Sequence, residues 1–305
     1  MDSGPQLVRF SIVVPTRNRP ALLDRCLTAL GSLDYPRTGF EVLVVDDGSE
    51  PPPDAVIARH QAQIPLRYLP HPGLGPASAR NAALRRALGE YVVFTDDDCA
   101  PDPNWLNAFD EAFSRSSAAA FGGTVVDDPE NGIFAAASQI LVSFLYDHAR
   151  TSPRGLRFFC SNNLALPREP LLRLGGFDTS FPLAAAEDRD LCARWLQQGE
   201  LHFLSTAIVY HRQMLNLKSF WAQQYRYGRG AYRFWLRRRD EGTPGNRIEP
   251  PRFYLRMLCY PFSRAPLFKA VAMSALLGLS QLATAVGYFV ERANAMAGLN
   301  QRTID

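Results

Sequence analysis

The first part of the chain alternates between short unbroken apolar runs and stretches with apolar residues three and four apart. Phe10 to Pro15 (FSIVVP) is a β-branched run, and Leu22, Leu23, Cys26, Leu27 and Leu30 follow at helical spacing. FEVLVVDDGS is a second buried-strand pattern, ending in Asp46, Asp47 and a glycine turn, and LRYLPHP is a candidate third strand. PASARNAALRRALG reads as a helix, with Pro76 near its start and Gly89 past its end. Tyr91 to Phe94 then form an apolar run that passes straight into Asp96, Asp97 and Asp98. This order predicts an open α/β sheet of mostly parallel strands, in which ligands bind at the carboxyl ends of strands. Both acidic clusters are expected at such ends.

AFGGTVVDD continues the series as a strand, and FCSNNLALPREPLLRLGGFD as a strand, a short helix and a turn. EDRDLCARWLQQG, Glu187 to Gly199, has the acidic first turn and terminal glycine of a helix. LHFLSTAIVYH is a last strand, ending at His211. The expected organisation is one α/β domain over residues 1–212 and a C-terminal segment of basic, aromatic and apolar helices over 213–305. RRRDEGTPGNRIEPPR, rich in proline, glycine and charge, reads as a linker within that segment.

Ala270 to Val290 is a run of 21 residues without a formal charge, long enough to span a bilayer. Ser274, Ser280, Gln281 and Thr284 dilute it, so an amphipathic or oligomer-packing helix competes with a true span. Upstream, SFWAQQYRYGRGAYRFWLRRR places Arg226, Arg229, Arg233 and Arg237 on one helical face, with Trp221, Tyr225, Tyr232 and Trp235 gathered away from it. Such a helix fits an anionic lipid surface. It equally fits a helix packed by its aromatic side on the core, with solvated arginines.

Composition changes this picture in a few places. Of 305 residues, 47% are hydrophobic and 21% charged, enough to bury a sizeable core. Five scattered cysteines with no C-x-x-C pair argue for reduced thiols in a cytosolic setting, against a disulfide framework or zinc site. The net charge of +3 conceals a local excess: between Gln213 and Arg264, eleven Lys and Arg meet three Asp and Glu. MDSGPQLVRFSIVVP has no basic region followed by a long apolar one, so no signal peptide is expected.

Asp96 and Asp98 stand two apart and would point to one side of an extended strand, with Asp97 on the other. Two oxygen ligands at that spacing suit Mg2+ or Mn2+ shared with a substrate phosphate. Strand-end aspartates also make turns and helix caps. Thr16, Arg17, Asn18 and Arg19 follow the first strand, and Asp46 and Asp47 the second. Each group is consistent with a polar turn, and Asp at a strand end can also accept from a base N–H or a ribose hydroxyl. Arg80 and Asn81 are expected on a helix that could face a nucleotide. PTRNRP after the first strand holds no glycine, which excludes the dinucleotide fingerprint.

Taken in order, SIVVPTRNRPALLDRCLTAL, YPRTGFEVLVVDDGS, GLGPASARNAAL, GEYVVFTDDDCAPDPNWL, GGFD and EDRDLCARWL resemble the motifs of glycosyltransferase family 2, from Ser11 to His211. The resemblance implies a GT-A fold, a Rossmann-like, mostly parallel sheet flanked by helices. It also implies inverting, metal-dependent transfer of a single sugar, of the hexosyltransferase type, from a nucleotide-diphosphate sugar to an acceptor hydroxyl. Asp46 and Asp47 are implied at the base, and Pro15, Thr16, Arg17 and Asn18 beside the nucleotide. Arg80 is implied to face it, with Asp96 toward the ribose and Asp97 adjacent. Asp98 and His211 are implied as ligands of Mn2+ or Mg2+, and Asp188 of the Glu187–Asp188 pair as general base. A helix-capping role stays open for Glu187. Asn162, with Asn163, aligns near the donor sugar, and Gly176, Phe177 and Asp178 of GGFD with the acceptor-side turn. On this reading the three adjacent carboxylates, which repel one another, are matched by a divalent cation carrying a nucleotide diphosphate.

QQYRYGRG departs from the Q-x-x-R-W motif of processive synthases, which favours transfer of one sugar. The implied partners are a UDP-sugar first, with GDP- and TDP-sugars open, a lipid-linked or peptide-linked acceptor hydroxyl, and an anionic membrane surface. A homo-oligomer is compatible with the apolar C-terminal helix, and nucleic acid is not expected. The implied location is the cytoplasmic face of the cell membrane, peripheral or with a single C-terminal span. The alternative is a nucleotide-sugar-binding or nucleic-acid-binding protein without transferase activity.

Overall fold

A computed structural model describes residues 8–151, 158–181, 185–240 and 249–298. In chain order the first elements are β1 (Phe10–Thr16), α1 (Pro20–Gly31), β2 (Phe40–Asp46), α2 (Asp54–Gln61), β3 (Leu66–Pro70), α3 (Pro76–Leu84) and β4 (Tyr91–Phe94). Then come β5 (Cys99–Pro101), α4 (Trp105–Arg115), β6 (Ala120–Asp127), α5 (Ile133–Thr151), β7 (Leu164–Pro167) and α6 (Arg168–Arg173). The chain continues through α7 (Glu187–Trp195), β8 (Leu201–His211), α8 (Leu217–Asp240), α9 (Pro251–Cys259) and α10 (Leu267–Met296). These elements fall into two compact units.

The first unit lies within Met1–Asp128, Arg157–Pro182 and Glu187–Arg212. It is built on an eight-stranded sheet in the order β3-β2-β1-β4-β7-β6-β8-β5. β3, β2, β1 and β4 run parallel, in a register that sets Thr16 beside Asp46 and Val13 beside Phe94. β7 runs antiparallel to both β4 and β6, β8 runs parallel to β6, and the short β5 pairs antiparallel with β8. The sheet is therefore mixed, and its parallel half carries both acidic strand ends. β1 and β2 are buried along their whole length, as expected for parallel strands covered on both faces. Phe10, Ile12 and Val14 share a core with Leu23, Leu27 and Leu30 of α1 and with Trp105, Phe109 and Phe113 of α4.

α3 stops at Leu84, short of the Gly89 terminus expected from its pattern. The chain instead turns into β4 against β1, where the Gly89 amide donates to Ser11 Oγ at 2.8 Å and the Leu88 amide to Glu41 Oε1 at 2.6 Å. A Cβ on Gly89 would stand 2.5 Å from the Ser11 nitrogen, so the close approach demands glycine.

The second unit lies within Pro129–Leu156, Leu183–Ala186 and Gln213–Asp305. Its core joins Ala137, Ile140 and Phe144 of α5 to Phe220 of α8, Phe253 and Met257 of α9, and Met273 and Leu277 of α10. The proposed linker is shorter than its composition suggested, since α8 runs to Asp240 and α9 opens at Pro251. Residues 241–248 lie outside the described residues.

α8 and α10 cross closely at two glycines. A Cβ on Gly228 would meet the Thr284 carbonyl oxygen at 2.0 Å, and one on Gly287 the Tyr225 carbonyl oxygen at 2.0 Å. Beyond this crossing, Glu291 is fully buried and accepts from Arg229 Nε and Arg233 Nε, each at 2.6 Å. Tyr232 stacks edge-on to Tyr288 at 5.3 Å. The expected four-arginine face is thus divided. Arg229 and Arg233 neutralise a buried carboxylate on α10, while Arg226 stays exposed. Leaving Glu291 without partners inside this interface would carry a heavy desolvation cost.

In an ordinary helix, replacing glycine by alanine stabilises by about 1 kcal/mol. Gly287→Ala is expected to do the reverse. The added methyl meets backbone rather than a yielding side chain, so overpacking should destabilise by about 1–3 kcal/mol. A lowered melting temperature in a thermal denaturation scan checks this; an unchanged or raised one contradicts the crossing.

Candidate active site

Three loops at the carboxyl ends of β1, β2 and β4 are tied together before any ligand is considered. Asn18, in a left-handed conformation (φ 54°), donates its amide to Ser49 Oγ and accepts from the Glu50 amide, both at 2.8 Å. Asp46 accepts from the Ser49 amide at 2.9 Å and from the Tyr68 hydroxyl at 2.7 Å. Asp47 accepts from the amides of Leu74 and Gly75 and pairs with His71 Nδ1 at 2.6 Å. Both carboxylates are buried; Asp46 shapes the turn after β2 and Asp47 the turn after β3 from within. Pro15 is buried in β1, and Arg17 is exposed beside Gly73.

β4 ends at Phe94, and each aspartate of the following triplet meets a guanidinium, Arg19 being shared by Asp97 and Asp98 and Arg80 reaching Asp96. Asp97 is fully buried; Thr16 Oγ1 donates to one oxygen at 2.6 Å and Arg19 Nη2 meets the other at 2.7 Å. Burial still pushes its carboxyl up to about 7, against the pull of Arg19. Asp98 takes Arg19 Nη1 on Oδ2 at 2.9 Å and faces His211 Nε2 with Oδ1 at 3.4 Å. Burial opposes its charge, but His211 and Arg19 hold it down at about 2. Asp96 receives Arg80 Nη2 at 2.7 Å. The expectation of one divalent cation matching the triplet is thus joined by two guanidiniums, Arg19 and Arg80, and by the His211 imidazole.

Arg80 is itself buried. Besides Asp96 it reaches Glu187 at 3.3 Å at the start of α7, and its guanidinium lies 5.4 Å from the centre of the Phe177 ring. It therefore joins two motifs distant in sequence, the acidic triplet and the Glu187–Asp188 pair. Burial, with Asp188 beside it, pushes the Glu187 carboxyl up to about 7 despite Arg80. Burial also raises the Asp188 carboxyl; one of its oxygens accepts from the Arg189 amide at 2.7 Å.

The remaining expected residues divide between scaffold and site. Gly176 has φ 69°, and a Cβ there would meet Asn81 Oδ1 at 2.3 Å. Asn81 brackets Phe177, accepting from its amide at 2.8 Å and donating to its carbonyl at 2.7 Å. Arg194 of α7 donates to the Gly176 carbonyl at 2.7 Å, and Asp178 accepts from the Ser180 amide at 2.9 Å. Phe177 is buried against Phe94, so the GGFD turn is packed from below. Asn163 is wholly engaged with Trp105, Thr124 and Ala207. The neighbouring Asn162 is buried, with a side-chain oxygen that finds no partner among the described residues.

The donor set fits a hard divalent ion. Asp98, Cys99 and His211 place ligand atoms within 4.8 Å of one another, because Cys99 of β5 pairs with His211 of β8. Burial raises the Cys99 thiol well above its ordinary range, so it stays protonated and leaves oxygen and imidazole as the ligands. Sequence reasoning gave Arg19 no partner. The signal was nevertheless present, since three adjacent carboxylates require several counter-charges and Arg19 ends a neighbouring strand-end loop.

Comparison with known proteins bears on this arrangement. The chain is 30% identical over 249 residues to the pre-mycofactocin glycosyltransferase of Mycobacterium tuberculosis, covering 79% of this chain and 51% of that protein. It is 28% identical over 244 residues to the hyaluronan synthase of Pasteurella multocida, covering 68% of this chain and 25% of that one. The chain thus spans about half, and about a quarter, of the length of these relatives. Among solved structures, the mannosyltransferase PcManGT from Pyrobaculum calidifontis, in complex with GDP-Man and Mn2+, superposes with a TM-score of 0.59 at 21% identity. That match covers 98% of this chain and 82% of the other. S. aureus TarS 1-349 in complex with UDP-GlcNAc gives 0.55 at 17%, covering 95% and 92%. These likenesses establish the GT-A fold. The glycosyl transferase family 2 model matches residues 11–175, more than half of the chain, and that stretch contains β1, β2, β4 and the loops that gather the carboxylates. The chain belongs to glycosyl transferase family 2.

Proposed function

We propose that this chain is an inverting glycosyltransferase that moves a single sugar from a nucleoside-diphosphate sugar to an acceptor hydroxyl with the help of a divalent cation. The observation that carries this reading is the Arg80 bridge, which joins Asp96 of the acidic triplet to Glu187, next to Asp188. It ties the donor end of the site to the residue that would deprotonate the acceptor.

Asp98 and His211 would hold the cation, Mn2+ in preference to Mg2+. When bound, it supplies positive charge for the diphosphate leaving group. The remaining chemistry belongs to the chain itself. Asp188, half-buried at the first turn of α7, takes the proton of the attacking hydroxyl, and its raised carboxyl makes it a stronger base than an exposed aspartate. Glu187 stays against Arg80 and fixes the start of that helix. Asp96 faces the ribose, while Asp46 and Asp47 act through the loops they hold. Asn162 offers its unpartnered oxygen toward the donor sugar. A UDP-sugar is the first donor to test, with GDP- and TDP-sugars beside it, and the acceptor is a lipid-linked or peptide-linked hydroxyl. The residue boundary at 212 separates the catalytic part from the C-terminal helices in this reading.

The same proposal places the protein peripherally on the cytoplasmic face of a membrane. α10 is one helix, among the described residues, long and apolar enough to cross a bilayer. Its buried stripe, ending in Glu291, is committed to α5, α8 and α9. This favours attachment in the plane of the membrane over a span. Phe262, Leu267 and Phe268 are exposed, Phe268 to 89%, and the exposed cations Arg252, Arg256 and Lys269 stand nearby in sequence. Apolar side chains flanked by cations suit the anionic inner leaflet.

Asp188→Asn is expected to retain nucleotide binding and to lose transfer by at least about a hundredfold. Full turnover by that variant, measured as released nucleoside diphosphate, rejects the base assignment. In a thermal-shift panel of UDP, GDP and TDP with and without Mn2+, one nucleotide should stabilise the wild type only with metal, by about 2.7 kcal/mol at a hundred times Kd. Asp98→Ala should abolish that shift; a shift that survives removes Asp98 from the site. In flotation with phosphatidylserine vesicles, Leu267→Ser with Phe268→Ser should lower the bound fraction several-fold, and equal binding rejects this surface.

A further inference from the structure

Arg19 lies at the junction of two roles. Its fork spans two carboxylates, with Nη2 at 2.7 Å from Asp97 and Nη1 at 2.9 Å from Asp98. Asp97 is fully buried and anchored on its other side by Thr16, so the Arg19 fork is held at a fixed place rather than swinging on the surface. Yet the Arg19 side chain is 45% exposed, and it stands at the mouth of the loop that leads into α1. Pro20, the first residue of α1, fixes the backbone just beyond it.

Asp98 meanwhile has a partner on each oxygen, the Arg19 guanidinium on Oδ2 and the His211 imidazole on Oδ1. A divalent cation on that carboxylate shares it with a guanidinium whose charge does not titrate away. Asp96 adds little attraction, since Arg80 already claims it. Local charge therefore opposes a bare cation at Asp98. A nucleoside diphosphate reverses this balance, because it brings negative oxygens that attract both the cation and Arg19. The guanidinium binds phosphate through paired N–H donors, as it does carboxylate.

We propose that Arg19 is a specificity-determining residue that competes with the divalent cation for Asp98 and donates to the diphosphate, so that metal and donor bind interdependently. This rests on the reading of Asp98 and His211 as the metal ligands. Its consequence is selectivity for ligands that bring their own negative charge. Mn2+ alone binds weakly, a neutral sugar gains nothing from Arg19, and a diphosphate recruits both cations together.

Isothermal titration and Mn2+ electron paramagnetic resonance test this without turnover, with Mn2+ alone, UDP with Mn2+ and GDP with Mn2+ as probes. Arg19→Gln removes the charge at similar size. It should bind Mn2+ alone at least about tenfold more tightly than the wild type, a difference of about 1.4 kcal/mol, and the better nucleotide with Mn2+ at least about tenfold more weakly. Arg19→Lys keeps a charge that cannot span both aspartates. It should fall between the two and serves as the reading variant if Arg19→Gln does not give a cooperative melt. Mn2+ affinity that is lost in Asp98→Ala but unchanged in the Arg19 variants overturns this inference while leaving the metal ligands in place. Mn2+ binding that is indifferent to Asp98→Ala, or absent from every variant, overturns both.

Discussion

The buried Arg80 guanidinium, fixed between Asp96 and Glu187, is the constraint around which the site is organised. It is carried by α3, it receives the carboxylate that follows β4, and it holds the first residue of α7. A charge so far from water is tolerated because both its partners are acidic and close. The same contacts keep Glu187 and Asp96 from being stranded. Three elements distant in sequence are thus placed by one residue, and Asp188 takes its position as the neighbour of Glu187.

Around this bridge, a similar economy recurs. Asp97 is turned to the interior, where Thr16 donates to one oxygen and Arg19 pairs with the other by charge, while Asp98 lies beside His211 across the β5–β8 pairing. Asp46 and Asp47 turn their charges inward to build the loops after β2 and β3. The GGFD turn is clamped by Asn81 from one helix and Arg194 from another, with Gly176 at the point where a side chain would collide. Residues that motif reading assigns to ligands therefore serve first as the framework for the few that stay accessible. Preorganisation of this kind is what a transferase needs, because charge must be stabilised where it develops without reordering the site.

The helical unit follows different physics. α8 and α10 approach through Gly228 and Gly287 so closely that backbone meets backbone, and a buried Glu291 draws two arginines to their shared face. An apolar helix locked in this manner leaves only its outward side exposed. The apolar run and the basic stretch, which look like separate features in sequence, become one interface whose polar centre is internal.

Much was legible from sequence alone. Unbroken apolar runs marked β1, β2 and β4, because strands covered on both faces tolerate little else. The ordered acidic strand ends, the GGFD turn and the Glu187–Asp188 pair marked the family, since each sits at a loop whose backbone and charge allow few alternatives. Local pattern could not reveal which cation each aspartate would meet. Arg19, Arg80 and His211 are separated from Asp96–Asp98 along the chain by as few as sixteen residues, for Arg80, and far more for the others. Arg19 and His211 meet them through strand register, Val13 beside Phe94 and Cys99 opposite His211, and Arg80 through the packing of α3, all properties of the folded sheet and its helices. The division of the α8 arginines was hidden for the same reason. A helical wheel orders residues around their own axis, but only a packed neighbour decides which of them are buried, and here that neighbour carries Glu291.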